Sequence, residues 1–188
     1  MLVWQFFLDI LTYASASFLS NQQLVSKVYF PRIIIPASRI LCSLVDFSVA
    51  FIFYILLSLF YYKFIPPLQL LLLPFFLIWL VVLSFSRSLL FASLIVRYRD
   101  FRHIIPFVGQ LGLYGTSVGF TLSLVPKRMV VFLGVNPLIG VINGFRWTLV
   151  GEQLHLPVIL VSMFMTIFFF LAGCMYFKSV QDTFADIL

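Results

Sequence analysis

Basic and aromatic residues lie together in a short stretch between two strongly apolar parts of the chain. Asn21 is a candidate N-cap, apolar residues recur at helical spacing from Leu24 to Tyr29, and Pro31 ends the pattern. The spacing predicts a short amphipathic helix at a membrane surface. It would act either as an interfacial anchor, with its cations on lipid phosphates, or as a docking element for a soluble subunit. The residues concerned are Lys27, Val28, Tyr29, Phe30, Pro31 and Arg32.

A second basic stretch reads RYRDFRH and separates two apolar runs. Arginines beside the end of a span stabilise the cytoplasmic side and pair with anionic lipid, so the stretch predicts a cytoplasmic loop that fixes topology. An ion pair between Asp100 and Arg97 or Arg102 would contribute only about 0–1 kcal/mol if exposed. The loop residues are Arg97, Arg99, Asp100 and Arg102.

Two charged residues, Asp46 and Arg87, fall inside apolar runs. A charge at the centre of a span costs about 2.5–3.5 kcal/mol on insertion scales. Counted from Arg39 and Arg97 at 1.5 Å per residue, Asp46 would lie about 10 Å deep and Arg87 about 15 Å. The two side chains could pair between neighbouring spans, or Arg87 could extend towards the interface.

The composition places these charges in an integral membrane protein. Hydrophobic residues make up 63% of the chain, charged residues 10%, and the mean hydropathy is +1.14. The apolar runs are continuous rather than alternating, which favours helices over strands. We expect an all-α, polytopic membrane helix bundle with about five transmembrane helices. The crossings would be residues 1–19, 44–62, 64–96, 104–126 and 156–177.

Residues 129–145 are also apolar, but glycine, asparagine and proline interrupt them repeatedly. Irregular backbone at membrane depth persists only where protein or a wet cavity satisfies its polar groups. The pattern therefore predicts a re-entrant hairpin on the external side, before the last transmembrane helix.

The net charge of +6 is explained by short loops rather than by a nucleic-acid surface. The five crossings put seven basic residues on one face and four on the other, which makes the first face and the C-terminus cytoplasmic. The seven are Lys27, Arg32, Arg39, Arg97, Arg99, Arg102 and Lys178, and the four are Lys63, Lys127, Arg128 and Arg146.

Motifs for catalysis are missing from the sequence. It contains no GxxxxGK[ST] phosphate loop, HExxH or GxSxG, and Cys42 and Cys174 have no zinc-site spacing. We therefore expect no catalytic residue, no metal and no cofactor on this chain. An integral membrane enzyme of lipid-linked sugars and an ion-coupled carrier are the weaker functional classes.

Four stretches, in order, carry a family resemblance: residues 20–47, which include SNQQLVSKVYFPRIIIPASRIL and LVDF, and the stretches VRYRDFRHIIPF, NPLIGVINGFRWTLVG and FKSVQDTFADIL. The chain resembles the ABC-2 type export permeases that move O-antigen, capsular polysaccharide and teichoic acid precursors across the bacterial inner membrane. An arginine at position 87 departs from the family pattern.

The resemblance implies a homodimer that exports a lipid-linked glycan among membrane lipids, driven by a separate ABC ATPase that carries ATP and Mg²⁺. It implies that residues 27–32 form the coupling helix that contacts that ATPase. It also implies an outer gate of two short helices, with Arg146 and Trp147 near sugar or headgroup. The gate residues are Asn136, Pro137, Gly144, Phe145, Arg146 and Trp147.

The family normally begins with a cytoplasmic amphipathic helix and a first span ahead of the segment that residues 2–19 resemble. We therefore expect residues 1–188 to be a single ABC-2 type transmembrane domain, truncated at the N-terminus. Export of a lipo-oligosaccharide or a drug is the alternative within the same family.

Overall fold

A computed structural model describes residues 1–21, 31–62, 68–98, 100–120, 122 and 125–181. Within these ranges the chain forms helices and connecting turns, without strands, as the all-α prediction requires. A π-helical turn (Ile10–Ala14) and a 3₁₀-helix (Leu68–Leu72) accompany the α-helices. In chain order the α-helices are α1 (Leu2–Asp9), α2 (Ser17–Ser20), α3 (Ile34–Tyr62), α4 (Leu73–Arg97), α5 (Phe101–Tyr114), α6 (Lys127–Leu133), α7 (Pro137–Val150) and α8 (Leu156–Val180).

Three of the described helical stretches are long and apolar enough to cross a membrane: Ile34–Phe60, Leu68–Arg97 and Leu156–Val180. At 1.5 Å per residue, α4 and α8 are each about 37 Å long, more than the roughly 30 Å of a hydrocarbon core. α3 begins ten residues before the predicted span, at Ile34. Its early start is possible because Pro36 lies in the first turn, where a proline leaves no helical hydrogen bond unmade. The predicted count of five crossings is not confirmed.

The first apolar run is helical but interrupted. α1 leads into the π-helical turn, Ser15 is still helical, and Ala16 forms a turn before α2. The hydroxyl of Ser17 donates to the carbonyl oxygen of Ala14 at 2.5 Å and so satisfies one acceptor at the break. This run packs against α3 and α4, and its buried residues include Phe6, Phe7 and Ile10.

The predicted span 104–126 is not one continuous helix. α5 ends at Tyr114, and residues 115–120 follow in turns and bends that contain Gly115 and Gly119. Glycine is a poor helix former, and the hydroxyl of Thr116 donates to the carbonyl oxygen of Leu113 at 3.0 Å. The apolar run is long enough to span, but its composition ends the helix after 14 residues.

The core lies where α4, α7 and α8 pack together. A Cβ atom at Gly173 in α8 would lie 2.6 Å from the carbonyl oxygen of Ser86 in α4, so the glycine lets these two helices approach closely. Trp79 Nε1 donates to Thr166 Oγ1 at 2.7 Å across the same pair of helices. Two helices, α6 and α7, occupy the stretch for which a re-entrant hairpin is predicted, and membrane re-entry itself stays a prediction.

Candidate functional site

Arg146 joins α7 to the non-helical segment after α5. Its Nη1 donates to the carbonyl oxygen of Phe120 at 2.9 Å, and its Nη2 donates to the carbonyl oxygen of Val118 at 3.0 Å. The carboxylate of Glu152 lies 3.8 Å from Nη1. One guanidinium thus holds two backbone carbonyls that no helix satisfies.

This arrangement explains how the broken segment can exist in an apolar bundle. A backbone carbonyl without a partner in low-dielectric surroundings is costly, and hydrogen bonds from a charged donor are stronger than neutral ones. The planar fork of arginine presents two donors in fixed geometry, which lysine cannot do. Arg146 is therefore a positioning residue, tying the predicted gate to the end of α5.

Both ends of α7 are capped by the residues that flank it. Asn136 is the N-cap, and its side chain accepts a long hydrogen bond of 3.4 Å from the backbone N–H of Leu138. Gly151 ends the helix with φ 73°, the left-handed conformation that favours glycine. These two residues set where α7 begins and ends, and so where Arg146 lies.

Asn143 fastens the loop that follows α7. Its side-chain nitrogen donates to the carbonyl oxygen of Gln153 at 3.3 Å, and its side-chain oxygen accepts from the backbone N–H of His155 at 3.1 Å. Asn143 is almost completely buried. In the sequence it reads as one of several helix breakers, but it lies inside α7 and connects that helix to the start of α8.

The predicted gate residues all lie on α7 or at its N-cap, but they do not share one environment. Pro137, Gly144 and Phe145 are buried in the core, whereas Arg146 and Trp147 are half-buried. The ring of Trp147 meets that of Phe76 edge to face, with centroids 6.5 Å apart. The buried three are packing residues, and the predicted contact with sugar or headgroup stays a prediction for the other two.

A cavity of about 280 Å³ lies beside Arg146. Its lining is mostly apolar and aromatic, with this arginine as its charged side chain. The ring of Phe47 stacks on that of Phe51 at 5.7 Å and meets that of Phe145 edge to face at 6.3 Å. A cavity of this kind suits an amphipathic ligand. Its aromatic residues are Trp4, Phe47, Phe51, Tyr54 and Phe145.

The predicted cytoplasmic residues are only partly described. Arg97 places its guanidinium 5.6 Å from the ring centroid of Tyr98, and Asp100 precedes α5. The described residues include no ion pair of Asp100 with Arg97 or Arg102, so the suggested local pair is not formed. Pro31 and Arg32 precede α3. Arg99 and the coupling-helix residues Lys27, Val28, Tyr29 and Phe30 lie outside the described residues.

The two intramembrane charges are not paired. Asp46 is exposed on α3, and the structure has no ion pair between it and Arg87. The guanidinium of Arg87 lies instead between aromatic rings, 4.7 Å from the centroid of Phe169 and 5.8 Å from that of Phe7. The side chains point to different neighbours, so the suggested pairing is wrong for this arrangement.

Comparison with known proteins supports the resemblance. Two O-antigen export system permease proteins RfbA of Klebsiella pneumoniae are each 27% identical over 186 residues, which cover 98% of this chain and 71% of the relative. An O-antigen export system permease protein RfbA of Myxococcus xanthus is 23% identical over 150 residues, 78% of this chain and 56% of the relative. The chain resembles O-antigen export permeases. No family model matches it.

The similarity to these permeases extends along nearly the whole chain, so it covers α7 and the Arg146 contacts as well as the apolar helices. The family resemblance implies that Arg146 lies at the gate, and that assignment stays a prediction; the sequence did not indicate its carbonyl contacts and gave Asn143 no role. The signal that the sequence offers is the presence of two polar residues, Asn143 and Arg146, in an otherwise apolar stretch.

Proposed function

We propose that this chain is the permease subunit of an ATP-driven ABC exporter that moves lipid-linked O-antigen across the bacterial inner membrane. The observation that carries the proposal is the similarity to O-antigen export permeases over 98% of the chain. The described helices agree with it, because three are long and apolar enough to span a membrane. The five-crossing topology with a cytoplasmic C-terminus is part of the proposal.

ATP would be hydrolysed by a separate subunit, since this sequence has no phosphate-binding loop. The segment Lys27 to Arg32 would contact that subunit, as the family resemblance implies. Binding of ATP can drive export only if it favours one arrangement of the permease over another. The contact segment must therefore move together with the spans.

A second copy of the chain would complete the translocation path. α3 exposes Asp46 on a face that also exposes Leu41, Val45 and Val49. A carboxylate that faces lipid at membrane depth is costly, at about 2.5–3.5 kcal/mol for a central position on insertion scales. The cost is removed if a second protein surface or a water-filled path contacts the carboxylate of Asp46. A dimer around a translocation path would supply both. These features support the homodimer proposal.

The proposed outer gate consists of α6 and α7 with the end of α5. Arg146 holds the broken segment to α7, and Ser162 Oγ in α8 donates to the carbonyl oxygen of Gly134, between α6 and α7, at 3.0 Å. Movement of α8 or α5 would therefore move α7. This linkage is the physical basis on which the gate could follow the spans.

Rescue of surface glycan tests the proposal. The chain would be expressed with its partner ATPase in a bacterium that makes the matching O-antigen but has lost its own permease. We expect the glycan to appear on the cell surface with the pair and not with either protein alone. If the pair enters the membrane and copurifies, yet glycan stays inside, the proposed function is wrong.

A further inference from the structure

Arg87 is a charged residue deep in a predicted span. It precedes Arg97, the basic residue in the last turn of α4, by ten residues, or about 15 Å of helix. α4 and α8 run parallel, with Trp79 against Thr166 and Ser86 against Gly173, so Phe169 is level with Val82, about 7.5 Å farther from Arg97 than Arg87 is. The Arg87 side chain reaches this ring by pointing away from the basic end of α4, which argues against its extension to that interface.

Aromatic rings hold the Arg87 guanidinium from two helices. The centroid of Phe169 in α8 lies 4.7 Å from the guanidinium carbon, and that of Phe7 in α1 lies 5.8 Å from it. A cation over an aromatic face is attracted by the quadrupole of the ring, more strongly where water is excluded. The two rings orient the cation and offset part of its burial cost, but they supply no counter-charge.

Among the described residues, no carboxylate pairs with Arg87. Asp9 accepts a hydrogen bond from Gln5 at 2.9 Å, Asp46 is exposed on α3, Asp100 lies at the start of α5, and Glu152 lies beside Arg146. The Nε atom of Arg87 is buried and has no hydrogen-bond partner. The side chain as a whole is only half-buried. The guanidinium is thus oriented by aromatic rings, its Nε is shielded from water, and it has no acceptor among the described residues.

We infer that Arg87, with Phe7 and Phe169, forms a binding site for the phosphate or pyrophosphate of a lipid at membrane depth. A guanidinium binds phosphate oxygens through parallel charge-assisted hydrogen bonds. Phe7 is buried and shields the guanidinium from water, and the partly exposed ring of Phe169 gives an apolar surface for the lipid chain. A carboxylate could bind the same guanidinium, but a lipid phosphate also carries an apolar chain that can pack against the neighbouring apolar residues.

Two sources can supply this phosphate. One is a resident phospholipid drawn inward, and the other is a lipid-linked glycan, whose phosphate must pass this depth during export. The second source rests on the proposed function. The binding chemistry of Arg87 is the same for both, so the experiment must separate them by probe.

Lipid retention measured by native mass spectrometry tests the site. The full chain, copurified with its ATPase, would be offered polyprenyl pyrophosphate, phosphatidylglycerol or diacylglycerol, which has no phosphate. We expect R87Q to lower retention of at least one phosphate-bearing lipid about tenfold, as for loss of a charged hydrogen-bond partner. Diacylglycerol retention should not change. F164L, which changes an exposed ring of α8 and removes no charge, is the control and should retain all three lipids.

Loss of polyprenyl pyrophosphate alone identifies the glycan carrier as the occupant, and equal loss of phosphatidylglycerol identifies a resident lipid phosphate. Unchanged retention of both lipids overturns the site. R87K keeps the charge if R87Q fails to insert. It should lower retention severalfold because it loses the planar fork, and full retention by R87K also overturns the site. Binding here needs no export, so a failed glycan rescue with Arg87-dependent retention would contradict only the proposed function.

Discussion

At the scale of single residues, Arg146 illustrates how a charge in an apolar chain can have a structural role. Its guanidinium donates to the carbonyl oxygens of Val118 and Phe120, which lie 28 and 26 residues earlier in the chain. No local pattern could predict these partners, because the bonds join segments that meet only in the fold. The family resemblance predicts that Arg146 lies near a gate, and the structure adds the two carbonyl groups to which it donates.

Replacing Arg146 by glutamine should destabilise the protein. The change removes the two charge-assisted hydrogen bonds to the carbonyl oxygens of Val118 and Phe120. We therefore expect the free energy of unfolding to fall by about 1–3 kcal/mol. Thermal unfolding in detergent measures it. E152Q is the control, because that carboxylate is 3.8 Å away and partly exposed, and its loss should change stability by only about 0–1 kcal/mol. Equal effects of the two substitutions would contradict the role of Arg146.

At the scale of elements, α7 depends on glycine for its close packing against α4. A Cβ atom at Gly144 would overlap the ring of Phe76, whereas one at Gly119, in the non-helical segment after α5, would meet nothing within 4 Å. Neither glycine has the positive φ that would itself disfavour alanine. The pair therefore compares a tightly packed glycine with an unpacked one, and the helix-propensity gain of about 1 kcal/mol at Gly144 only opposes the expected loss.

We expect G144A to lower the free energy of unfolding by about 1–3 kcal/mol, because overpacking forces Phe76 or α7 to shift. G119A should be neutral within error. Thermal unfolding of the two variants, expressed to equal membrane levels, provides the comparison. A neutral G144A would mean that α7 does not pack against α4 as described.

The elements show where sequence patterns predict structure and where they do not. Continuous apolar runs predicted α4 and α8, since length and hydropathy decide such helices. The run 104–126 is also long and apolar enough to span, yet the helix ends at Tyr114. Its glycines disfavour a helix there, and Arg146 stabilises the broken backbone that follows. α3 begins earlier than predicted because the predicted span covers the apolar run alone. The helix itself continues past Arg39, whose long side chain can reach an interface.

At the scale of the whole molecule, coupling to an ATPase is predicted for the segment 27–32, of which residues 27–30 lie outside the described residues. Replacing both Tyr29 and Phe30 by alanine should reduce copurification with the ATPase and uncouple ATP hydrolysis from export, because docking surface is lost while the spans are kept. Pull-down and ATPase assays measure this. F60A, which removes an exposed ring near the other end of α3, is the control. Normal ATPase binding and normal export by the double variant would show that Tyr29 and Phe30 do not dock on the ATPase.

The central claim, export of a lipid-linked glycan by this chain with its ATPase, is tested most directly in proteoliposomes. The purified pair would be reconstituted with the ATPase outside, and lipid-linked O-antigen would be added to the outer leaflet. The fraction of glycan protected from an impermeant glycosidase is the measurement. We expect this fraction to rise with ATP and not with a non-hydrolysable analogue. No rise, in vesicles whose complex is intact and hydrolyses ATP, would contradict the account.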